Sequence, residues 1–180
     1  MTCVIGFVHG GHVIMGADSA SASGWTVRKT RLPKVFSHQG VFVIGYTTSF
    51  RMGQILRWYL EVPLQEPEQS DLEYMVTVFV KAVRSVLKEH GFAKLDDNVE
   101  TGGQFLVGYN GNLYEVGPDF QVNQHTDGFD AVGCGESFAL GAMKALDGVG
   151  LSPQLRVMRA LEVAAHFSGG VCEPFKVMEL

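Results

Sequence analysis

The sequence lacks the clustered positive charge that binding to nucleic acids or anionic membranes requires. Its net charge is -5, its pI is about 5.6, and its densest group of Lys and Arg residues is confined to positions 28–34. Affinity for phosphate backbones and anionic lipids depends on such clusters. No apolar run approaches the roughly 18 residues that cross a bilayer. We therefore expect no nucleic-acid partner and no membrane partner.

The chain also has few cysteines and no histidine pattern typical of metal sites. Cys3, Cys134 and Cys172 are odd in number and far apart, which is unlike a disulfide framework and favours a reducing compartment. We therefore predict a cytoplasmic protein. No two of the six histidines have helical ligand spacing with a carboxylate beside them. We interpret His9 and His12, which flank Gly10-Gly11, as solvated loop residues, and we predict no metal and no cofactor.

What the sequence does have is enough apolar material for one core. Its 180 residues are 46% hydrophobic and 18% charged, which predicts a single domain over residues 1–180 without a disulfide or metal to stabilise it. This composition is apolar for a monomer and favours self-association.

The first half alternates strand and turn signals before it becomes helical. β-branched runs at 2–8 and 13–17, joined by turn residues 9–12, predict a hairpin. Residues 19–24 are predicted to form a small-residue loop. Extended segments are expected at 25–29, 34–36 and 41–46. Apolar residues at helical spacing predict helices over 48–62, ended by Pro63, and over 71–90.

The second half repeats this order. A polar stretch at 94–103 precedes a hairpin of 104–109 and 112–116 about Asn110-Gly111. Further strands are predicted at 119–122, 129–133 and 175–180, and helices at 136–146 and 153–167. The order of elements predicts an α+β fold, a four-layer αββα sandwich of two antiparallel sheets flanked by helix pairs.

Three residues near the N-terminus suggest chemistry. The second strand of an antiparallel hairpin returns beside the start of the first, which brings Asp18 near Thr2, and Lys34 follows sixteen residues later. If Met1 is removed, the Thr2 amine, with an ordinary pKa of about 7.7 to 8.0, can take the proton of its own hydroxyl. A Lys34 ammonium favours that step by its charge, and Asp18 orients it. A surface ion pair of Asp18 and Lys34 is the alternative.

The run from Thr2 to Ser19 resembles the mature N-terminus of proteasome β subunits and of their bacterial relative HslV. That family places its lysine sixteen residues after its aspartate, as in Pro33-Lys34-Val35 here. Residues 131–142 resemble the family's Gly-Ser-Gly-Ser turn and third helix, and residues 159–170 resemble its fourth helix with a terminal Ser-Gly-Gly. The resemblance covers essentially the whole chain and implies an N-terminal nucleophile (Ntn) hydrolase fold.

The resemblance also implies the remaining site residues. Gly45 corresponds to the glycine whose amide serves as oxyanion-hole donor. Cys134 stands where the family has a serine and is a weaker hydrogen-bond donor, while Ser168 is kept and the family's nearby aspartate is replaced by Ala165. The implied substrate pocket is a small to medium apolar slot, although core packing explains its aliphatic members equally well; its walls would be Ser21, Leu32, Val43 and Thr47.

The function implied is a threonine-type endopeptidase in a self-compartmentalising ring. Its partners would be identical subunits in a ring or stacked rings, unfolded polypeptide substrates and an ATPase or cap. Two alternatives stay open, a catalytically inactive structural or assembly subunit and an Ntn amidohydrolase acting on a small amide. A retained Met1 would turn the Thr2 amine into an amide and remove the proposed base.

Overall fold

The N-terminal hairpin lies at the centre of a four-stranded antiparallel sheet. The computed structural model describes residues 1–24, 26–96 and 99–180, without the side chains of residues 96 and 99. The strands of this sheet are β1 (Val4–His9), β2 (His12–Ala17), β12 (Phe129–Val132) and β13 (Lys176–Glu179). Their spatial order is β12-β1-β2-β13. Gly10 and Gly11 have φ of 60° and 82°, the positive values that a tight type I′ turn needs at both central positions.

A second antiparallel sheet has five strands, which are β5 (Val35–His38), β6 (Phe42–Tyr46), β9 (Phe105–Tyr109), β10 (Asn112–Val116) and β11 (Val122–Asn123). Their spatial order is β11-β10-β9-β6-β5. The predicted hairpin about Asn110-Gly111 is confirmed, with φ of 48° and 73° at these residues. The strand predicted at 119–122 was largely wrong, because β11 shares only Val122 with that range.

Two small hairpins complete the strands of the described ranges. β3 (Ala20–Ser23) pairs with β4 (Thr26–Lys29), and β7 (Lys94–Asp96) pairs with β8 (Val99–Thr101). The prediction of a loop at 19–24 was therefore wrong, because residues 20–23 form a strand. Its Ala and Ser residues have weak strand propensity, and pairing with the next strand overrides it. The part of the 25–29 prediction that falls on Trp25 lies outside the described residues.

All four predicted helical regions are helical. Serine side chains cap three of the helix starts, at Ser49, Ser70 and Ser152. A π-helical turn, Met75–Phe79, interrupts the second region. No helix in the described ranges is both long and apolar enough to cross a membrane. The α-helices are α1 (Phe50–Trp58), α2 (Asp71–Tyr74), α3 (Val80–Glu89), α4 (Glu136–Ala145) and α5 (Pro153–Phe167).

The first helix ends earlier than predicted. α1 stops at Trp58 rather than at residue 62. Leu60 and Val62 are buried in the core although they lie beyond the helix. The chain leaves the helix to bury these two side chains, and their burial outweighs continued helical hydrogen bonding.

Three buried clusters hold the elements together. One combines side chains of the five-stranded sheet with those of α1 to α3, including Phe42, Tyr46 and Phe79. A second combines the four-stranded sheet with α4 and α5, including Ile5 and Leu161. The third contains residues of both sheets. Its members are Val4, Val13, Met15, Ala17, Val35, Val43, Leu106, Leu113 and Val132.

Candidate active site

Thr2, Lys34 and Asp18 form a connected row of side chains at the start of β1. Lys34 Nζ donates to Thr2 Oγ1 at 3.0 Å and to Asp18 Oδ1 at 2.9 Å. The N-terminal hairpin brings Asp18 back beside Thr2, and β5 begins directly after Lys34. The predicted clustering of these three residues agrees with the geometry.

The Asp18 carboxylate is fixed by the backbone around it. Oδ1 accepts from Cys3 N at 3.0 Å, and Oδ2 accepts from Ala20 N at 2.7 Å and Cys172 N at 3.4 Å. With Lys34 the carboxylate has four donors, which satisfies a buried charge. Asp18 therefore holds the Lys34 ammonium in one position.

The ion pair is buried, unlike the surface pair that was the alternative interpretation. Lys34 and Asp18 are each only 1% exposed. Buried charges are retained where they are paired and hydrogen-bonded, and solvent screens them little. The ammonium can therefore act at full strength on the Thr2 hydroxyl.

The turn before α4 surrounds the backbone of Thr2. Thr2 N donates to Cys134 Sγ at 3.3 Å, and Thr2 O accepts from Gly135 N at 3.3 Å. Gly133 has φ of 102°, and a Cβ there would lie 2.3 Å from Thr2 O, so only glycine fits. Ser168 Oγ lies 3.5 Å from Cys134 Sγ. Cys134 and Ser168 thus lie next to the nitrogen that would become the catalytic amine.

The other two cysteines are poor rival nucleophiles. Burial, with the nearby Asp18 carboxylate, raises the pKa of the Cys3 thiol far above its usual range and also raises that of Cys172. The thiolate is the reactive form of cysteine. Neither side chain is therefore activated at neutral pH.

Gly45 lies in the interior of β6 rather than beside Thr2. Tyr46 N donates to Lys34 O at 3.0 Å, toward β5. Because amides alternate in direction along a strand, the Gly45 amide faces the opposite neighbour, β9, where its partner is Leu106. A Cβ on Gly45 would lie 2.5 Å from Val4 Cγ1, so close packing of the sheets accounts for this glycine.

The backbone N–H of Thr48 is another candidate hydrogen-bond donor at this site, and it was not among the residues predicted from the sequence. Thr48 has a φ of 66°, and Ser49 N donates to Thr47 O at 2.7 Å, the hydrogen bond of a strained γ-turn. Thr48 Oγ1 accepts from Gln104 N at 3.2 Å, which secures the turn. Across the described residues, no carbonyl or side chain accepts the Thr48 N–H. No signal in the sequence marks this turn, because positive φ is usually indicated by glycine and residue 48 is threonine.

A small cavity of about 30 Å³ is lined by Thr2 and Lys34. Of the four predicted pocket residues, only Thr47 lines it. Ser21 and Leu32 lie outside its lining, and Val43 is 1% exposed in the cluster between the sheets, so its placement as a pocket wall was wrong. The lining residues are Met1, Thr2, Lys34, Tyr46, Thr47, Thr48, Ser49 and Phe50.

Met1 fills part of this space. Its carbonyl oxygen accepts hydrogen bonds from Thr2 Oγ1 and, at 3.4 Å, from Lys34 Nζ. Gly170 packs closely against the Met1 side chain. Removal of Met1 would therefore free both the nitrogen of Thr2 and the space beside its hydroxyl.

Comparisons with known proteins agree with this architecture. No family model matches the chain, and no curated protein matches it in sequence. Thiobacillus denitrificans BPH superimposes with a TM-score of 0.81 at 23% identity, over 99% of this chain and 97% of that one. BPH in complex with epoxomicin gives 0.81 at 22% identity, over 99% and 98%.

Eukaryotic HslV from Trypanosoma brucei gives a TM-score of 0.71 at 19% identity, over 99% of this chain and 98% of that one. The α+β class and the antiparallel sheets predicted from the sequence agree with these structures. The resemblance to proteasome β subunits and HslV is thus confirmed at the level of the fold, and the chain has an HslV-like fold.

Proposed function

We propose that this chain is a threonine-type peptidase subunit of the proteasome/HslV kind, with Thr2 as nucleophile after removal of Met1. One observation carries the proposal: the buried, hydrogen-bonded row Thr2–Lys34–Asp18. An ammonium buried against a hydroxyl and tied to a fixed carboxylate stabilises the negative charge that a nucleophilic oxygen develops.

The reaction begins with a free Thr2 amine. That amine takes the hydroxyl proton, directly or through water, and Oγ1 attacks the carbonyl carbon of the substrate. The tetrahedral intermediate collapses to an ester on Oγ1 as the leaving amine receives the proton. Water then hydrolyses the ester with the same amine as base, which restores Thr2.

The oxyanion of the intermediate needs a donor, and we assign this role to the Thr48 amide. This amide belongs to the turn that lines the cavity beside Thr2 and Lys34, whereas the Gly45 amide faces a neighbouring strand. An oxyanion-hole donor lies about 2.7 to 3.1 Å from the oxyanion. In a crystal structure with a peptide boronate on Thr2, the oxyanion is expected at that distance from Thr48 N. A contact with Gly45 N instead would overturn the assignment.

Cys134 and Ser168 are assigned to proton transfer at the amine. Cys134 contacts Thr2 N, and Ser168 contacts Cys134. A thiol is a weak donor, so Cys134→Ser is expected to keep or raise the rate of peptide cleavage. Cys134→Ala should lower kcat with little change in KM. Equal rates in all three proteins would exclude a role for this side chain.

The wider context follows from the resemblance. We propose a single domain in a four-layer arrangement, which the three core clusters support, assembled with identical subunits into a ring or stacked rings. Tyr46 and Phe50 beside the cavity favour an apolar substrate side chain. Unfolded polypeptides are the proposed substrates, and an ATPase or cap the proposed partner.

The decisive experiment combines intact mass with cleavage of fluorogenic peptides. We expect protein that lacks Met1 to cleave peptides, Thr2→Ala to be inactive, and Thr2→Ser, which keeps a hydroxyl, to retain activity. Because BPH was solved with epoxomicin, the same compound is expected to bind the processed chain and not Thr2→Ala.

Two outcomes would replace this proposal. Hydrolysis of small amides without peptide cleavage would favour an amidohydrolase. A residue retained before Thr2 in protein from its native source, with no turnover, would favour a structural subunit.

A further inference from the structure

A second group of titratable side chains lies apart from Thr2, where the two sheets meet. Glu115 is on β10 of the five-stranded sheet, Asp130 is on β12 of the four-stranded sheet, and His125 is in the segment between β11 and β12. The three are separated by ten and five residues along the chain. The fold, rather than a local motif, brings them together.

The spacing of their atoms fits a metal ion. His125 Nε2 lies 3.5 Å from Glu115 Oε2 and 3.4 Å from Asp130 Oδ2, and the three candidate ligand atoms all lie within 4.8 Å of one another. Ligands at about 2.1 Å from a tetrahedral zinc ion are about 3.4 Å apart. Both distances from the imidazole therefore match edges of such a tetrahedron.

A buried oxygen of Asp130 that accepts no hydrogen bond gives a second reason to expect a cation at this position. The residue is 9% exposed, and its Oδ2 is a fully buried oxygen with no hydrogen-bond partner in the described part of the chain. Its Oδ1, in contrast, accepts from Ala131 N at 2.8 Å. A buried carboxylate oxygen without a partner is costly, and a cation at this point would satisfy it.

The carboxylate of Glu115 is held in place for such a role. Gln104 Nε2 donates to Oε1 at 2.8 Å, and Asn123 Nδ2 donates to Oε2 at 3.2 Å. Outer hydrogen bonds of this kind orient metal ligands. A cavity of about 130 Å³ adjoins His125 and Asp130 and has room for a water molecule as fourth ligand.

We propose that Glu115, His125 and Asp130 bind one divalent transition-metal ion of the zinc type through one imidazole nitrogen and two carboxylate oxygens. Mixed nitrogen and oxygen ligands suit Zn²⁺ and its neighbours better than Mg²⁺ or Ca²⁺. The ion links the two sheets, so its effect is on stability. This site is independent of the peptidase proposal, because none of its ligands contacts Thr2.

The test is to titrate the chelator-treated full chain with Zn²⁺ alone and to measure the heat of binding by calorimetry. We expect one equivalent to bind and the melting temperature to rise. His125→Gln is the main variant, because its ring is half exposed and its removal leaves the core intact. It should lower the affinity at least about 100-fold, since loss of even an outer-shell partner costs 10- to 100-fold. Asp130→Asn should have the same effect.

Matched controls separate this site from other donors. His12→Gln removes a histidine that lies 3.8 Å from a single carboxylate, Glu179, and Cys134→Ser removes the exposed thiol. Both should bind Zn²⁺ as the unmodified chain does. Co²⁺ used as a spectroscopic probe should give the visible bands of a four-coordinate site without a thiolate band.

Three results would overturn the proposal. One is the absence of saturable Zn²⁺ binding, which would leave a protonated His125 between the two carboxylates as the explanation. The second is binding that survives His125→Gln, and the third is binding that Cys134→Ser abolishes.

Discussion

Asp18, which directly follows β2, and Asp130, on β12, are both buried carboxylates of the four-stranded sheet, yet their surroundings differ completely. Asp18 accepts four hydrogen bonds, one of them from a buried ammonium. Asp130 has one oxygen bonded to the Ala131 amide, and the other has no hydrogen bond in the described chain, although His125 Nε2 lies 3.4 Å from it. The first carboxylate is satisfied by the protein alone, whereas the second has the unpaired oxygen for which we proposed a metal ion. Burial alone therefore does not identify a binding site. The number of hydrogen-bond donors around a buried carboxylate indicates whether it can bind a further cation.

The largest effect is expected when the satisfied pair is broken. Asp18→Asn leaves the Lys34 ammonium buried without its counter-charge, so we expect a loss of about 3 to 5 kcal/mol in the free energy of unfolding and loss of peptide cleavage. Urea denaturation measures the first effect. The exposed pair Arg159–Glu162 is the control, and Glu162→Gln should cost no more than about 1 kcal/mol. Equal losses of stability in Asp18→Asn and Glu162→Gln would show that the buried pair contributes no more to stability than the exposed pair.

A smaller effect is expected at the turn that holds Thr2. Gly133→Ala places a Cβ against the Thr2 carbonyl at positive φ, which should cost about 1 to 3 kcal/mol and reduce cleavage by displacing Thr2. Gly141 in α4 is the matched control, because a Cβ there meets nothing within 4 Å. Gly141→Ala should be stabilising by up to about 1 kcal/mol. Unchanged activity in Gly133→Ala would separate this turn from the site.

Asp130 should behave in the opposite way to Asp18. In chelator-treated protein, Asp130→Asn removes a buried charge whose Oδ2 accepts no hydrogen bond, so we expect the free energy of unfolding to change by less than about 1 kcal/mol or to rise. The same urea measurement applies. A loss as large as that of Asp18→Asn would show that Asp130 is already satisfied and would remove the contrast between the two carboxylates.

The smallest effect concerns pH and a third buried group. Burial lowers the pKa of His38, whose Nε2 has no partner in the described residues. The folded chain resists protonation while the unfolded chain takes up a proton near pH 6.5, so stability is complete above that pH and falls as pH decreases below it. His38→Leu should flatten this part of the stability curve, whereas exposed His166→Gln should not. An unchanged slope in His38→Leu would exclude His38 as its source.

The sequence predicted the parts of the molecule that depend on local signals. The helix at 153–167 was predicted to the residue, because Ser152, Pro153 and the apolar period mark it. The placement of Asp18 and Lys34 near Thr2 followed from hairpin geometry and the family spacing. The fold class followed from the order of elements.

What the sequence did not predict depends on tertiary contacts. The amide of Thr48 is presented by a strained turn whose residues are ordinary. Val43 faces the other sheet rather than a pocket, because alternation along β6 sets its direction. The three proposed metal ligands are dispersed over three segments, and no spacing rule connects them.

The hydrogen bonds of Asp18 have a consequence for the order in which the chain folds. Cys172 N reaches Asp18 from 154 residues away, and β13 pairs beside Ala17 at the end of the same strand. Contacts this distant in sequence form late in folding. Asp18 therefore gains its fourth hydrogen-bond donor only after the segment around Cys172 has packed against the end of β2. The final ordering of the Lys34–Asp18 pair thus depends on residues that lie far from it along the chain.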